Sequence, residues 1–246
     1  MISTADLVSR AIAAQGGLAA WEQTERLEVS IAADGFAFTT HMRFGGLAPT
    51  RATVETRLPR VRFDGYPEER MVGEFDGVAD VVRIQSADGE SVRERANPRA
   101  HFFGLPGLRR KLRWDDLDFL YFCGYALWGY LTVPFGLREP GFEIDQLKPA
   151  DDRGTFCHRL LVRYPEHLPA HSREQVVWLD PDGLITRLDY TAEVIGGWAK
   201  AANLVTDRAW FGGLLLPSRR LVIPQRPRGT GTISRPQLVR IAIDPA

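Results

Sequence analysis

The chain has almost no lysine and almost no cysteine. Of its 31 basic residues only three are lysines, Lys111, Lys148 and Lys200, a bias we read as a trace of GC-rich coding more than of function. Two cysteines, Cys123 and Cys157, cannot build a disulfide scaffold for 246 residues; reduced, buried thiols are expected. Net charge is lacking too, since 31 acidic residues balance the 31 basic ones. A neutral composition leaves no electrostatic footprint for nucleic acid and none for an anionic membrane surface. No Gly-x-Ser-x-Gly, phosphate loop, dinucleotide fingerprint or Cys-x-x-Cys occurs, so no nucleophile, nucleotide or cofactor signature is present. The opening, MISTADLVSRAIAAQGG, carries Asp6 and Arg10 where a signal peptide needs an unbroken apolar stretch. That points to a cytoplasmic protein, or to a periplasmic or cell-wall one whose leader has been removed.

Strands are what the sequence does have. Residues 4–20 read as one amphipathic helix capped by Ser3 or Thr4, with Leu7, Val8, Ala11, Ile12 and Leu18 on one side and Gly16-Gly17 as a break. The period then changes to two. Leu27, Val29 and Ile31 alternate with polar neighbours, as do Phe36, Phe38, Thr40, Met42 and Phe44, and then Ala52, Val54, Thr56 and Leu58. Each run predicts a strand with one buried face. Asp-Gly occurs at 34-35, 64-65, 76-77, 88-89 and 182-183, and this dipeptide suits the positive φ angles of tight hairpins. A meander of five or six strands ending near Arg99 is therefore expected. Runs at 142–147, 156–164, 174–179, 184–194, 199–208, 215–223 and 238–243 continue the pattern. Eleven to thirteen antiparallel strands in one domain, residues 1–246, are too many for a flat sheet, which should curl or close. RPRGTGTISRP (226–236) reads as a mobile loop.

Between the two sets of strands lies FLYFCGYALWGYLTVPFGL, Phe119 to Leu137, nineteen residues without a charge and seven of them aromatic. Trp114-Asp115-Asp116 suits a helix start, where the backbone dipole favours carboxylates. Gly124, Gly129, Pro134 and Gly136 dilute the segment too much for a membrane span, so no stable membrane insertion is expected. A helix apolar on every side is buried on every side. It is either a core helix on the sheet or a lid, part of an insertion at about 100–140, with one side over an apolar cavity. The lid is the reading we favour, because tyrosine and tryptophan pair an apolar body with a polar tip. Tyr121, Tyr125, Trp128, Tyr130 and Phe135 are then the candidate ligand-binding residues.

Few side chains suggest chemistry. His167-x-x-x-His171 has helical ligand spacing, but Pro165 and Pro169 argue against a helix, and no metal site is expected. His41 alternates with Arg43 and reads as solvated; His101 belongs to a loop or a rim. His158 shares strand parity with Leu160 and Val162, and Tyr190 with Leu188 and Val194, so both point to the apolar side. Asp118 suits the helix start and, less readily, an inward-facing acid. If the cavity hosts catalysis, His158, Tyr190 and Asp118 are its polar candidates.

Three stretches resemble one family. AIAAQGGLAAWEQTERLEVSIAADG (11–35) is similar to the opening of the LolA/LppX-like lipoprotein-carrier superfamily: helix, Gly-Gly, a Trp, then a first strand. VVWLDPDGLITRLDY (176–190) resembles its paired strands around an Asp-x-x-Gly-Leu turn. NLVTDRAWFGGLLLPSRRLVI (203–223) resembles its closing pattern. The resemblance implies a mainly β fold, a strongly curved antiparallel sheet forming an unclosed half-barrel, with an N-terminal helix and a helical lid over an apolar concave face. It further implies a hydrophobic small molecule or lipid as partner; with no cofactor motif in the sequence, no cofactor is expected. The expected function is binding of such a molecule or an acyl chain. The alternative is a cofactor-independent cyclase or isomerase working on an apolar substrate by acid-base catalysis in the same cavity. The oligomeric state is not legible.

Overall fold

The computed structural model describes residues 2–89, 91–226 and 231–246. Six strands follow one another as a meander: β1 (Arg26–Asp34), β2 (Leu47–Glu55), β3 (Arg60–Asp64), β4 (Met71–Asp76), β5 (Val81–Ser86) and β6 (Val92–Ala96). Seven more form a second: β7 (Glu143–Asp152), β8 (Thr155–Arg163), β9 (Glu174–Leu179), β10 (Ile185–Thr191), β11 (Lys200–Phe211), β12 (Leu214–Pro224) and β13 (Val239–Pro245). Pairing of β1 with β13 joins them into one antiparallel sheet of 13 strands, with β6 and β7 at its two edges. The sheet is not closed, as the sequence led us to expect. Four of the Asp-Gly pairs sit at tight connections between neighbouring strands, after β3, β4, β5 and β9.

Alternation sorts the strand residues. Val29, Ile31, Ala52, Val54, Val61, Phe63, Val82, Ile84, Ile241 and Ile243 all enter one continuous core, and their neighbours in sequence face the other way. Two expectations fail locally. Residues 36–44 are not a strand: Phe36–Thr39 form a short helix, α3, between β1 and β2. Of its alternating apolar set only Phe38 is buried, while Phe36, Met42 and Phe44 are exposed. Gly35, Gly45 and Gly46 all take positive φ, so the chain turns twice where a strand would run straight. The N-terminal helix is two helices, α1 (Thr4–Ala14) and α2 (Gly17–Gln23), parted at Gly16 (φ 111°). A Cβ there would lie 2.4 Å from the Gly213 carbonyl oxygen, so only glycine fits. Part of the expected 226–236 loop, residues 227–230, lies outside the described residues.

The chain passes from edge β6 to edge β7 through helices α4 (Gly104–Arg110) and α5 (Asp116–Thr132). Asp115 caps α5, its side chain accepting from the Asp118 N–H while Asp118 accepts from the Asp115 N–H. The helix ends at Val133-Pro134. It lies along the inner face of the sheet against β2, β3, β4, β5 and β12. Fifteen of its seventeen residues are buried, which is how a helix without a polar side must sit. No helix among the described residues is long and apolar enough to cross a membrane.

Candidate ligand-binding site

At its start α5 is held by charge. Arg95 and Arg110 each reach the Asp118 carboxylate at 2.5 Å, Arg95 also grips Asp115 at 2.7 Å, and Arg43 and Arg93 share Asp116 at 2.9 and 3.1 Å. Burial and the Asp115 charge push the Asp118 carboxyl above its ordinary range, against the pull of Arg110. For Asp115 burial also works upward, yet Arg95 and the Asp118 N–H outweigh it and hold the group low. Asp118 is thus a capping and ion-pairing residue at the helix start. His41, expected in solvent, is buried here: Nδ1 lies 2.7 Å from the Ala37 carbonyl and the ring rests on Trp114 at 4.3 Å. The turn at α3 folds it inward, where a strand would have left it outside.

Along its middle, α5 fills the space beneath it. Gly124 allows this, because a Cβ there would lie 2.5 Å from Phe75. Tyr121 packs among Phe75, Phe102 and Tyr125. Only small gaps remain. One of about 30 Å³ is bordered by Phe122, Cys123, Tyr130, Tyr190 and Val222. The other, of about 10 Å³, is bordered by Tyr125, Gly129, Tyr130, Tyr164 and His171. Cys123 and Cys157 are both free and buried, and burial pushes the Cys123 thiol up to about 12.

Beside these gaps sits a polar cluster of residues far apart in sequence. The His171 ring stacks on Tyr190 at 3.9 Å. Its Nε2 is 2.8 Å from the Tyr130 hydroxyl and its Nδ1 is 3.2 Å from that of Tyr125, while Tyr130 and Tyr190 are joined at 3.0 Å. Burial first, then Arg99 and Arg220, lower His171 to about 3, so the imidazole is neutral and one nitrogen donates while the other accepts. Burial raises all three tyrosines. From β12, Arg220 donates to the Tyr130 carbonyl at 3.0 Å and lies over the Tyr130 ring at 4.6 Å. Its Nε and Nη1, and the side-chain amide of Asn203, have no hydrogen-bond partner among the described residues. Burial lowers Arg220 to about 10, which still leaves it charged at neutral pH.

At the other end of α5 the packing opens. A cavity of about 530 Å³ is lined by Trp21, Trp128, Val133, Leu137, Phe142 and Leu168, with Arg57, Glu139 and His167 also around it. Trp128 is fixed by its indole N–H to the Glu55 carbonyl at 3.0 Å. Trp21 is stacked face to face on Phe135 at 4.5 Å, so Phe135 backs the wall. Tyr164 borders both this cavity and the gap beside Gly129. A wider, more open depression of about 680 Å³ elsewhere mixes Asp34, Arg219, Arg220 and Arg240 with Leu47, Leu221 and Ile241.

The expected residues therefore distribute unevenly. Trp128 lines the cavity and Phe135 supports it; Tyr125, Tyr130 and Tyr190 join the buried cluster; Tyr121 is packed in aromatic core. Tyr190 meets His171 and Tyr130, with His158 and Asp118 elsewhere. His158 is half-buried on β8 with Phe156 edge-on at 6.0 Å, and its Nδ1 has no partner among the described residues. Sequence reasoning missed His171 and Arg220. For Arg220 a signal existed: it shares parity with Leu216, Ser218 and Val222, all buried, and an inward-facing arginine in a strand is unusual.

No family model matches the sequence, and no curated protein matches it. Solved structures do. A LolA superfamily protein from Nitrosomonas europaea aligns over 99% of this chain and 92% of its own, with a TM-score of 0.52 at 7% identity. A DUF1329 family protein from Desulfovibrio piger aligns over 99% and 91%, with a TM-score of 0.50 at 12% identity. The chain shares its fold with these two structures. At such identities the likeness is one of backbone arrangement. It covers nearly the whole chain, including the helical connection across the sheet.

Proposed function

We propose that the protein binds a hydrophobic small molecule or acyl chain, taken up in the cavity at the C-terminal end of α5. The observation that carries this is the 530 Å³ cavity walled by Trp21 and Trp128. Its size falls within the range of small-molecule sites, and its wall is mostly apolar with a few polar groups beside it. The fold agrees, since the LolA/LppX-like superfamily that the sequence resembles carries such ligands against the same face of the sheet. Catalysis is less well supported. His171 is held neutral down to about 3 and Tyr125, Tyr130 and Tyr190 are raised, so the buried cluster offers no group poised to exchange protons near neutrality.

Tryptophan fluorescence titrated with a fatty acid and with a polarity-sensitive dye tests the proposal. Wild type should bind, and Trp128→Ala should bind about tenfold more weakly, because one aromatic wall is worth on the order of 1.5–3 kcal/mol by area. A wild type that takes up neither probe, or a Trp128→Ala protein that binds as tightly, removes the cavity as the site.

A further inference from the structure

Among the described residues, seven of the fifteen exposed large hydrophobic ones lie on two short segments. Phe103, Leu105, Leu108 and Leu112 belong to α4 and its flanks, with Leu105, Leu108 and Leu112 exposed to 88%, 66% and 72%. Phe36, Met42 and Phe44 belong to the connection between β1 and β2. Both segments are tied to the start of α5: Arg110 to Asp118, Arg43 to Asp116, and the Trp114 N–H to the His41 carbonyl at 3.0 Å. The apolar side chains therefore crowd one end of the molecule, away from the cavity. Leu105 and Leu108, three residues apart, share one side of α4, and Leu112 follows just beyond its end. The turn is pinned beneath them, since a Cβ at Gly107 would lie 2.2 Å from the Phe102 carbonyl oxygen.

Charge is interleaved with this apolar surface. The run Leu108-Arg109-Arg110-Lys111-Leu112-Arg113 holds four cations. The nearby carboxylates Asp115, Asp116 and Asp118 already have arginines on them. Arg109 reaches Asp115 only at 3.3 Å and stays largely exposed, and Lys111 and Arg113 form no ion pair among the described residues. The chain is neutral as a whole, but this end is locally positive. Exposed leucines among unpaired cations match a bilayer interface, where apolar side chains enter the acyl boundary and cations meet anionic headgroups. A second copy docked isologously would set the same cations against each other.

We propose that α4, with the exposed side chains of residues 36–44, docks the protein on the surface of an anionic lipid bilayer. The inference does not rest on the cavity. Flotation of the full chain with phosphatidylcholine vesicles, with and without phosphatidylglycerol, tests it. Wild type should float with the phosphatidylglycerol vesicles. The triple variant Leu105→Ser, Leu108→Ser, Leu112→Ser should bind about tenfold more weakly or worse, and Lys111→Gln with Arg113→Gln should lose binding severalfold, as should added salt. All five side chains are exposed, so both variants should melt with wild type. A wild type that stays unbound, or a triple variant that floats equally well, overturns the proposal. A concentration-dependent dimer abolished by the triple variant also overturns it, by giving the patch to a second copy.

Discussion

At its first turn α5 presents three carboxylates, and arginines from β6, α4 and the β1–β2 connection close on them. At its last turns it presents Trp128 to a cavity, and its Tyr130 carbonyl and ring to Arg220, a buried guanidinium with no carboxylate in contact among the described residues. At one end each carboxylate is held by two arginines and the helix cap is complete. At the other, Arg220 keeps side-chain donors with no hydrogen-bond partner among the described residues, and a cavity opens beside Trp128. A buried, mutually satisfied cluster fixes a single arrangement, since loosening any member exposes the rest. An end with spare hydrogen-bonding capacity and free space loses less by rearranging. The start of α5 is held by ion pairs, whereas its end borders the cavity that the ligand is proposed to enter.

The largest effect should come from the anchored end. Asp118→Ala removes both the reciprocal helix cap and the buried acceptor that Arg95 and Arg110 share, and should cost about 3–5 kcal/mol in urea unfolding. A loss under about 1 kcal/mol would show that charge pairing is not what fixes the helix start. The pH dependence of stability probes the other end. His171 lies near 6.5 when unfolded and about 3 when folded, so its contribution is complete above about pH 6.5. It is lost as pH falls, at up to about 1.4 kcal/mol per pH unit, because the unfolded chain takes up a proton that the folded one refuses. Unfolding measured between pH 7 and pH 4 should show this slope in wild type and a shallower one in His171→Gln; equal slopes would refute the burial of a neutral imidazole. A smaller contrast lies within α5 itself. Gly124→Ala must displace Phe75 and should cost about 1–3 kcal/mol. At Gly129 an added Cβ meets nothing within 4 Å, so Gly129→Ala should stabilise by up to about 1 kcal/mol through helix propensity. If both alanines cost the same, the helix end is as tightly packed as its middle.

Much of the fold was legible because its signals are local. Alternation and Asp-Gly turns place all seven strands of the second meander and all but one of the expected runs of the first. The exception, Phe36 to Phe44, shows the limit of that signal. Its alternation is real in sequence, but three glycines at positive φ turn the chain, and only Phe38 finds a buried neighbour in Phe119 and Phe122. The greasy helix was equally plain, since no polar side exists to mislead. The site was less legible because it is assembled from a distance. Tyr130 on α5, His171 in the loop before β9, Tyr190 on β10 and Arg220 on β12 are neighbours only after the sheet has formed. Whole-chain neutrality likewise hid the positive end at α4, since balance over 246 residues says nothing of balance over six.

The pairing of β1 with β13 sets the order in which the molecule can be finished. Ile31 lies opposite Ile243 and Ala33 opposite Ile241, so the central seam of the sheet joins one of the first segments synthesised to the last strand. Among the described residues, every other strand pairing is between consecutive strands and can form as the chain emerges. Until β13 arrives, one side of β1 is an open edge of unpaired N–H and C=O groups, able to recruit a strand from another chain. All other ladders join neighbours along the chain, so the β1–β13 seam alone closes a loop of more than 200 residues, the largest entropic cost of closure in the sheet.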